Sequence, residues 1–351
     1  HRHGLQAGKI LLNGKADDPN DPKYRVYKIN KDWQSLVSGS VKDAFQKDYE
    51  EWPWQDGAPW IDKDNDGIYT PYTDQPDFIG DEVLWYVAND LDTSRSTYTY
   101  GSLPLGLEQQ CTVWGFNRNN STLGNMVFKR YRMINKGIYD IDSLKFGIWT
   151  DIDLGTADDD VMGCDTTIEM AYGYNGSNTD GNYGSPPPAI GYVFLNELEI
   201  SSFVMYIGAS ASFDDPRQGV YKGTLELFNY LYGKLWNGNL IIDPLTQLPE
   251  RIMLAGDPVT GSGWYELAGW PGGPDPDDRR FLSSTGPFYL ARNDTIDITF
   301  AIVIDRGEDN IDSITRIRRL AGIAKKVSRD DFSFPQVPQP QLHAVPGNQQ
   351  I

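Results

Sequence analysis

The sequence predicts a mainly β protein: an antiparallel β-sandwich with a few inserted helices and a helix at its C-terminal end. Three observations carry this. Tyr 20, Phe 14, Trp 10, Gly 35 and Pro 22, with many Thr, Asn and Asp, make the composition of a turn-rich β chain. Strand-like segments follow one another from 82 to 210 at short intervals, which argues antiparallel pairing. One long segment near the end, 309–331, has helical periodicity instead.

Taken in order, residues 1–23 are polar and turn-rich and read as an extended arm. "YRVYKI" (24–29) alternates like a short strand. "VKDAFQKDYEEW" places Val41, Phe45 and Tyr49 on one helical stripe, stopped by Pro53. Then come "EVLWYVAND", "GLEQQCTVWGF", "NMVFKRYRMINKG", "DSLKFGIWTDID", "TTIEMAYGYNG", "AIGYVFLN" and "FVMYIGA", all strands with Gly, Asn or Asp turns and no helix between them. "YKGTLELFNYLYGKLWNG" breaks the period, with Leu225, Phe228 and Leu231 or Tyr232 spaced for a helix that stops at Gly233 or Gly238. "GWPGGPDPDDRR" is a loop. "DTIDITFAIVID" is long and apolar enough for the centre of a sheet. In the last helix Ile311, Ile314, Arg318 and Ala321 form one row and Ile317, Leu320 and Ala324 another, with Asp309 or Asp312 as its cap. Residues 24–331 read as one large domain. Residues 332–351 are rich in Pro and Gln and exclude helix or central strand, leaving a linker or an arm laid on a neighbour.

Charge and composition bound the function. The 351 residues hold 49 acidic against 31 basic side chains, a net −18 that disfavours nucleic acid and anionic membranes. No stretch approaches the ~20 apolar residues of a membrane span. The chain starts with His and shows no signal peptide, so it reads as a processed or trimmed product. Its three His are 1, 3 and 343, which leaves almost no imidazole for catalysis. No nucleophile elbow, zinc-protease helix or phosphate loop occurs, and a non-enzymatic role is expected. Cys111 and Cys164 are expected to form one disulfide if the chain is secreted, with two buried thiols as the alternative.

Two acidic loops are the candidate sites. In "WIDKDNDGIYTPYTDQPD" (60–77), Asp62, Asp64 and Asp66 alternate and precede Gly67, which permits a sharp turn onto one ion. Counting from Asp62, the twelfth position of an EF-hand is Thr73, and Pro71 and Pro76 forbid a following helix. The loop therefore predicts a calcium site of another kind, completed by Asp74 or Asp77. In "TDIDLGTADDDVMGCD" (150–165), Asp151 and Asp153 end a strand, and Asp158, Asp159, Asp160 and Asp165 follow. Carboxylates so crowded need a cation or Arg, and calcium is again expected. A glycosidase carboxylate pair is the sharper rival. "GPDPDD" (273–278) reads as a solvated turn. The many Trp and Tyr would fill a core, with a sugar-stacking platform as the alternative.

Several phrases together resemble large secreted proteins of the Bacteroidota and Ignavibacteria that leave the cell by type IX secretion. They are "NGKADDPNDPKYRVYKI" (13–29), "WPWQDGAPWIDKDNDGIY" (52–69), "GDEVLWYVANDLD" (80–92), "WTDIDLGTADDDVMGCDTT" (149–167), "YGSPPPAIGYVFL" (183–195) and "DRRFLSSTGPFYLARNDT" (278–295). The resemblance implies secretion and life at the cell surface, and supplies no catalytic residues. The expectation is thus a secreted, calcium-stabilised structural protein that assembles with itself into a filament or surface layer. A polysaccharide-binding module is the alternative.

Overall fold

The computed structural model describes residues 4–117, 122–207, 216–217 and 220–332. The elements run β1 (Gln6–Ala7), β2 (Tyr27–Asn30), α1 (Ser40–Glu50), β3 (Trp60–Ile61), β4 (Gln75–Pro76), β5 (Glu82–Asn89), α2 (Thr93–Tyr100), β6 (Leu107–Gly115), β7 (Met126–Asn135) and β8 (Ile141–Asp151). They continue with β9 (Asp160–Asp165), β10 (Met170–Asn175), β11 (Ala189–Phe194), β12 (Ser202–Ile207), α3 (Tyr221–Leu231), β13 (Ile241–Ile242), β14 (Pro249–Glu250), β15 (Arg279–Leu290), β16 (Thr295–Asp305) and α4 (Asn310–Arg329).

The fold is mainly β, and its strand pairs are antiparallel. A nine-stranded sheet runs β1-β5-β6-β7-β16-β11-β10-β9, with β2 also on β5. The segment "DTIDITFAIVID" is the centre of that sheet, as β16 between β7 and β11. One face buries Trp85, Trp114, Phe128, Tyr172 and Val303 under α1, the loops around it and α4. The period-2 alternation sends Ile298, Phe300 and Phe194 to the other face, where they pack on Phe203, Phe281 and Ile148 of a three-stranded sheet, β12-β15-β8. Tyr192 meets Phe281 across the layers at 5.6 Å. The result is an unequal sandwich, with the small sheet over the β9–β11 and β16 half of the large one.

α4 matches expectation: Ile314, Ile317, Leu320, Ala321 and Ala324 are buried, and the Asp309 side chain accepts the Asp312 N–H as its cap. α1 buries Phe45 and Tyr49, but Val41 at its first turn is exposed. α3 ends near Gly233 yet buries Gly223, Glu226 and Tyr230, leaving the expected stripe residues Leu225 and Phe228 half exposed. Glu226 is turned inward because its carboxylate accepts the Arg217 N–H at 2.8 Å and pairs with the Arg217 guanidinium at 3.3 Å. The helix α2 interrupts the strand series unexpectedly. Its signals are local: Asp92 accepts the Ser94 N–H, and Gly101 ends the helix at φ 73°.

Residues at the N-terminus are part of their own chain's sheet. Gln6 and Ala7 pair with Asn89 and Ala88, and Ile10 is buried with its N–H on Glu108 Oε2 at 2.7 Å. The proposed C-terminal arm beyond Phe332 lies outside the described residues.

The expected disulfide is not formed; Cys111 and Cys164 are both free and buried. Cys111 is in β6 and Cys164 in β9, five strands away in one sheet. Five spacings of ~4.8 Å put them ~24 Å apart, against a limit of ~7 Å between bridged Cα atoms. Burial raises both thiols above their usual range.

Candidate metal centres

The first acidic loop leaves the sheet after β3 and returns at β4, and this two-residue ladder closes its neck. Its turns come from short side chains bonding the backbone just ahead. Asp62 Oδ1 accepts the Asn65 N–H at 2.7 Å, Asp62 Oδ2 the Gly67 N–H at 2.9 Å, and Asp66 the Ile68 N–H at 2.7 Å. Asn65 and Gly67 take positive φ, 60° and 77°, which reverses the chain within the loop.

This folding gathers Asp62, Asp64 and Asp74, whose ligand oxygens all lie within 4.8 Å of one another. Asp74 is fully buried and holds both ends of the loop, accepting the Lys63 N–H at 2.9 Å and the Thr70 N–H at 2.7 Å. The base is tied to α1: Tyr49 donates to the Asp74 carbonyl at 2.8 Å, and Tyr69 donates to the Tyr49 carbonyl at 2.7 Å. Among the described residues no Lys or Arg pairs with these three carboxylates. Desolvation and the charges of Asp66, Asp74 and Asp62 hold the Asp64 carboxyl above its ordinary range. An all-carboxylate oxygen set of this kind suits a hard cation.

Asp66 and Asp77 were expected in the same set and are not in the gathered group. Asp66 is spent on its own turn. Asp77 is half-buried, its carboxyl raised by desolvation, with Arg130 opposing and Asp331 reinforcing that shift.

The second candidate is assembled differently from the sequence pattern. Asp151 and Asp153 meet Asp278, from the supposedly solvated "GPDPDD" turn, with oxygens again within 4.8 Å. Asp278 arrives because β15 pairs with β8, which sets Arg280 opposite Asp151. Arg280 reaches both acids, Asp151 Oδ2 at 3.2 Å and Asp278 Oδ2 at 3.1 Å. The remaining oxygens, Asp151 Oδ1 and Asp278 Oδ1, are buried without a hydrogen-bond partner. A cation there would meet those two oxygens, and would share the carboxylates with Arg280. Burial raises the Asp151 carboxyl, Arg280 opposes that, and Asp153 and Asp278 add to it.

The other carboxylates of that stretch do separate work. Asp158 is exposed. Asp159 accepts from Asn175 Nδ2 at 2.5 Å. Asp160 is buried, accepts the Leu154 N–H at 3.1 Å, and is pushed up to about 7 by burial, with Asp159, Asp153 and Asp180 adding to it. Asp165 closes the far end of β9 and pairs with Arg318 of α4 at 3.0 Å. Two charged elements went unread in the sequence. Glu266 and Arg279 form a fully buried pair at 2.7 Å, and Glu266 Oε1 also accepts the Met162 N–H at 2.7 Å. Only the doubled Arg after an acidic turn hinted at it.

A cleft of about 700 Å³ lies where the small sheet stops short over the large one. Its floor is Tyr86, Gln109, Lys129 and Tyr131 on β5–β7, and its wall is the run Phe146 to Asp151 of β8. No helix among the described residues is long and apolar enough to cross a membrane. No protein-family model matches the chain, and no curated protein matches it.

Proposed function

We propose that the protein is a secreted structural component, stabilised by calcium and assembling with itself into an extracellular filament or surface layer. The observation that carries the calcium part is the buried Asp74 carboxylate. It bonds both ends of the loop, shares a 4.8 Å cluster with Asp62 and Asp64, and sits on α1 through Tyr49. A cation at that point ties the two ends of the loop to each other and to α1, so its effect is on stability. The resemblance of several phrases to exported surface proteins supports the extracellular setting.

Electron microscopy of the purified chain in calcium and after chelation tests the proposal. Regular polymers that fray on chelation are expected. Polymers indifferent to chelation would remove calcium from the assembly, and dispersed particles in both conditions would overturn self-assembly.

A second reading is favoured by the cleft, whose Tyr86 and Tyr131 floor is a surface on which sugar rings could stack. Binding to insoluble polysaccharide by monomeric protein would support it over the first.

A further inference from the structure

The cleft has a feature that ring stacking does not need. Its wall is six consecutive residues, Phe146, Gly147, Ile148, Trp149, Thr150 and Asp151. Side chains of consecutive strand residues point to opposite faces, so a wall made of all six is the strand's backbone edge. β8 is the last strand of the order β12-β15-β8, and that edge is unpaired among the described residues. Natural edges are usually blunted by proline or by charged side chains; between Lys145 and the terminal Asp151 this run, Phe146 to Thr150, has neither. The floor beside it is also left partly uncovered. On β5, Val83, Trp85 and Val87 are buried on the helix side, while Tyr86 on the cleft side is only half-buried. Among the described residues, no strand of the small sheet covers this floor.

The sequence contains a segment written for that position. In "VPQPQLHAVP" (337–346), the even residues are Pro338, Pro340, Leu342, Ala344 and Pro346, and the odd ones Val337, Gln339, Gln341, His343 and Val345. A strand turns the N–H and C=O of alternate residues to opposite sides. With the odd residues toward β8, every N–H facing the edge is present, and the three prolines fall where no donor is needed. The same alternation lays the apolar even side chains on one face, suited to the Tyr86 and Tyr131 floor. Residues 333–351 contain no Asp, Glu, Lys or Arg, so a chain of net −18 does not repel them.

We propose that residues 337–346 of a second copy pair with the free edge of β8 and fill this cleft, a strand exchange that joins successive copies. This rests on the self-assembly reading and names its joint. The donor belongs to a neighbour because Phe332 is anchored on the other face of the large sheet, against Trp114 at 4.9 Å and Phe128 at 5.1 Å. The five steps from Phe332 to Val337 reach at most ~18 Å, too little to round a sheet whose two faces each carry a layer ~10 Å away. The donated strand would present its prolines outward, which stops a further strand from adding and keeps the exchange to one per cleft.

Disulfide trapping in the full chain tests this. Leu342→Cys and Lys129→Cys are made in separate chains and mixed under mild oxidation. Leu248→Cys, exposed in the β13–β14 hairpin, replaces Lys129→Cys as control. Linked dimer about tenfold or more above that control is expected, because docking raises the local concentration of the two thiols. Dimer at the control level would overturn the proposal. A double variant that links within one chain, at unchanged mass, would overturn the exchange between copies. Cellohexaose that quenches tryptophan fluorescence in the wild type but not in Trp149→Phe, without any linkage, would assign the cleft to glycan instead. Microscopy of the same samples keeps the two readings apart. Polymers without linkage sink the joint and leave assembly standing; linkage without polymers does the reverse.

Discussion

Replacing Asp64 with alanine separates a metal site from an acidic turn, because Asp64 contributes almost nothing to the loop unless an ion is present. Its one hydrogen bond in the loop is a 3.4 Å contact from the Asp66 N–H, and the side chain is exposed. Crowding by Asp66, Asp74 and Asp62 already raises its carboxyl. Without calcium the Asp64→Ala protein should therefore melt within ~0.5 kcal/mol of wild type. With free calcium at a hundred times the dissociation constant, wild type should gain ~2.7 kcal/mol. For a chain of 351 residues the unfolding entropy is ~0.7 kcal/mol/K, so this gain is a rise of ~4 °C in Tm. The variant should lose most of that rise. Asp74→Ala is the contrast: it orphans the Lys63 and Thr70 N–H groups and should cost ~1–3 kcal/mol with or without calcium. Differential scanning calorimetry in calcium and in chelator reads all four states. A wild-type Tm that ignores calcium, or an Asp64→Ala protein that keeps the full rise, would refute the loop as a metal site.

Three further outcomes are expected. Asp160 is raised to about 7 in the fold, so its stabilising contribution is whole below the unfolded value near 4 and lost as pH climbs through 7. The loss is up to ~4 kcal/mol, and Asp160→Asn should flatten urea-derived stability between pH 4 and 8; an unchanged slope would place the titration elsewhere. Arg279→Met strands the buried Glu266 carboxylate and should cost ~3–5 kcal/mol, much of it recovered by adding Glu266→Leu; a cost under ~1 kcal/mol would show the pair to be solvated. Thiol titration should find Cys111 and Cys164 unreactive in the folded protein and two reactive thiols after denaturation, without any reductant.

Much of the fold was legible because it rests on local periodicity. β16 reads as a central strand since both of its faces are apolar, and α4 as a helix since its buried rows repeat at 3.6 residues with Asp309 as cap. The Asp62 loop was legible for a similar reason: its carboxylates and glycine lie within a few residues, so the turn alone gathers Asp62 and Asp64. α3 shows the limit. Hydrophobic spacing chose Leu225 and Phe228 for burial, but the Arg217 backbone and guanidinium drew Glu226 inward and rotated the helix.

What tertiary structure alone decided are the meetings of residues distant in the chain. Asp278 joins Asp151 and Asp153 because β15 pairs with β8 in one register, a non-local choice that no loop spacing encodes. Cys111 and Cys164 are kept apart by the strand order of the large sheet, which inserts four strands between β6 and β9. The cleft follows from unequal sheet widths, three strands over nine. Composition and turn signals determined that this chain would be an antiparallel sandwich with acidic loops. Strand order and register, set by the packing of whole faces rather than by neighbours in sequence, decided which acids converge and which edge is left open.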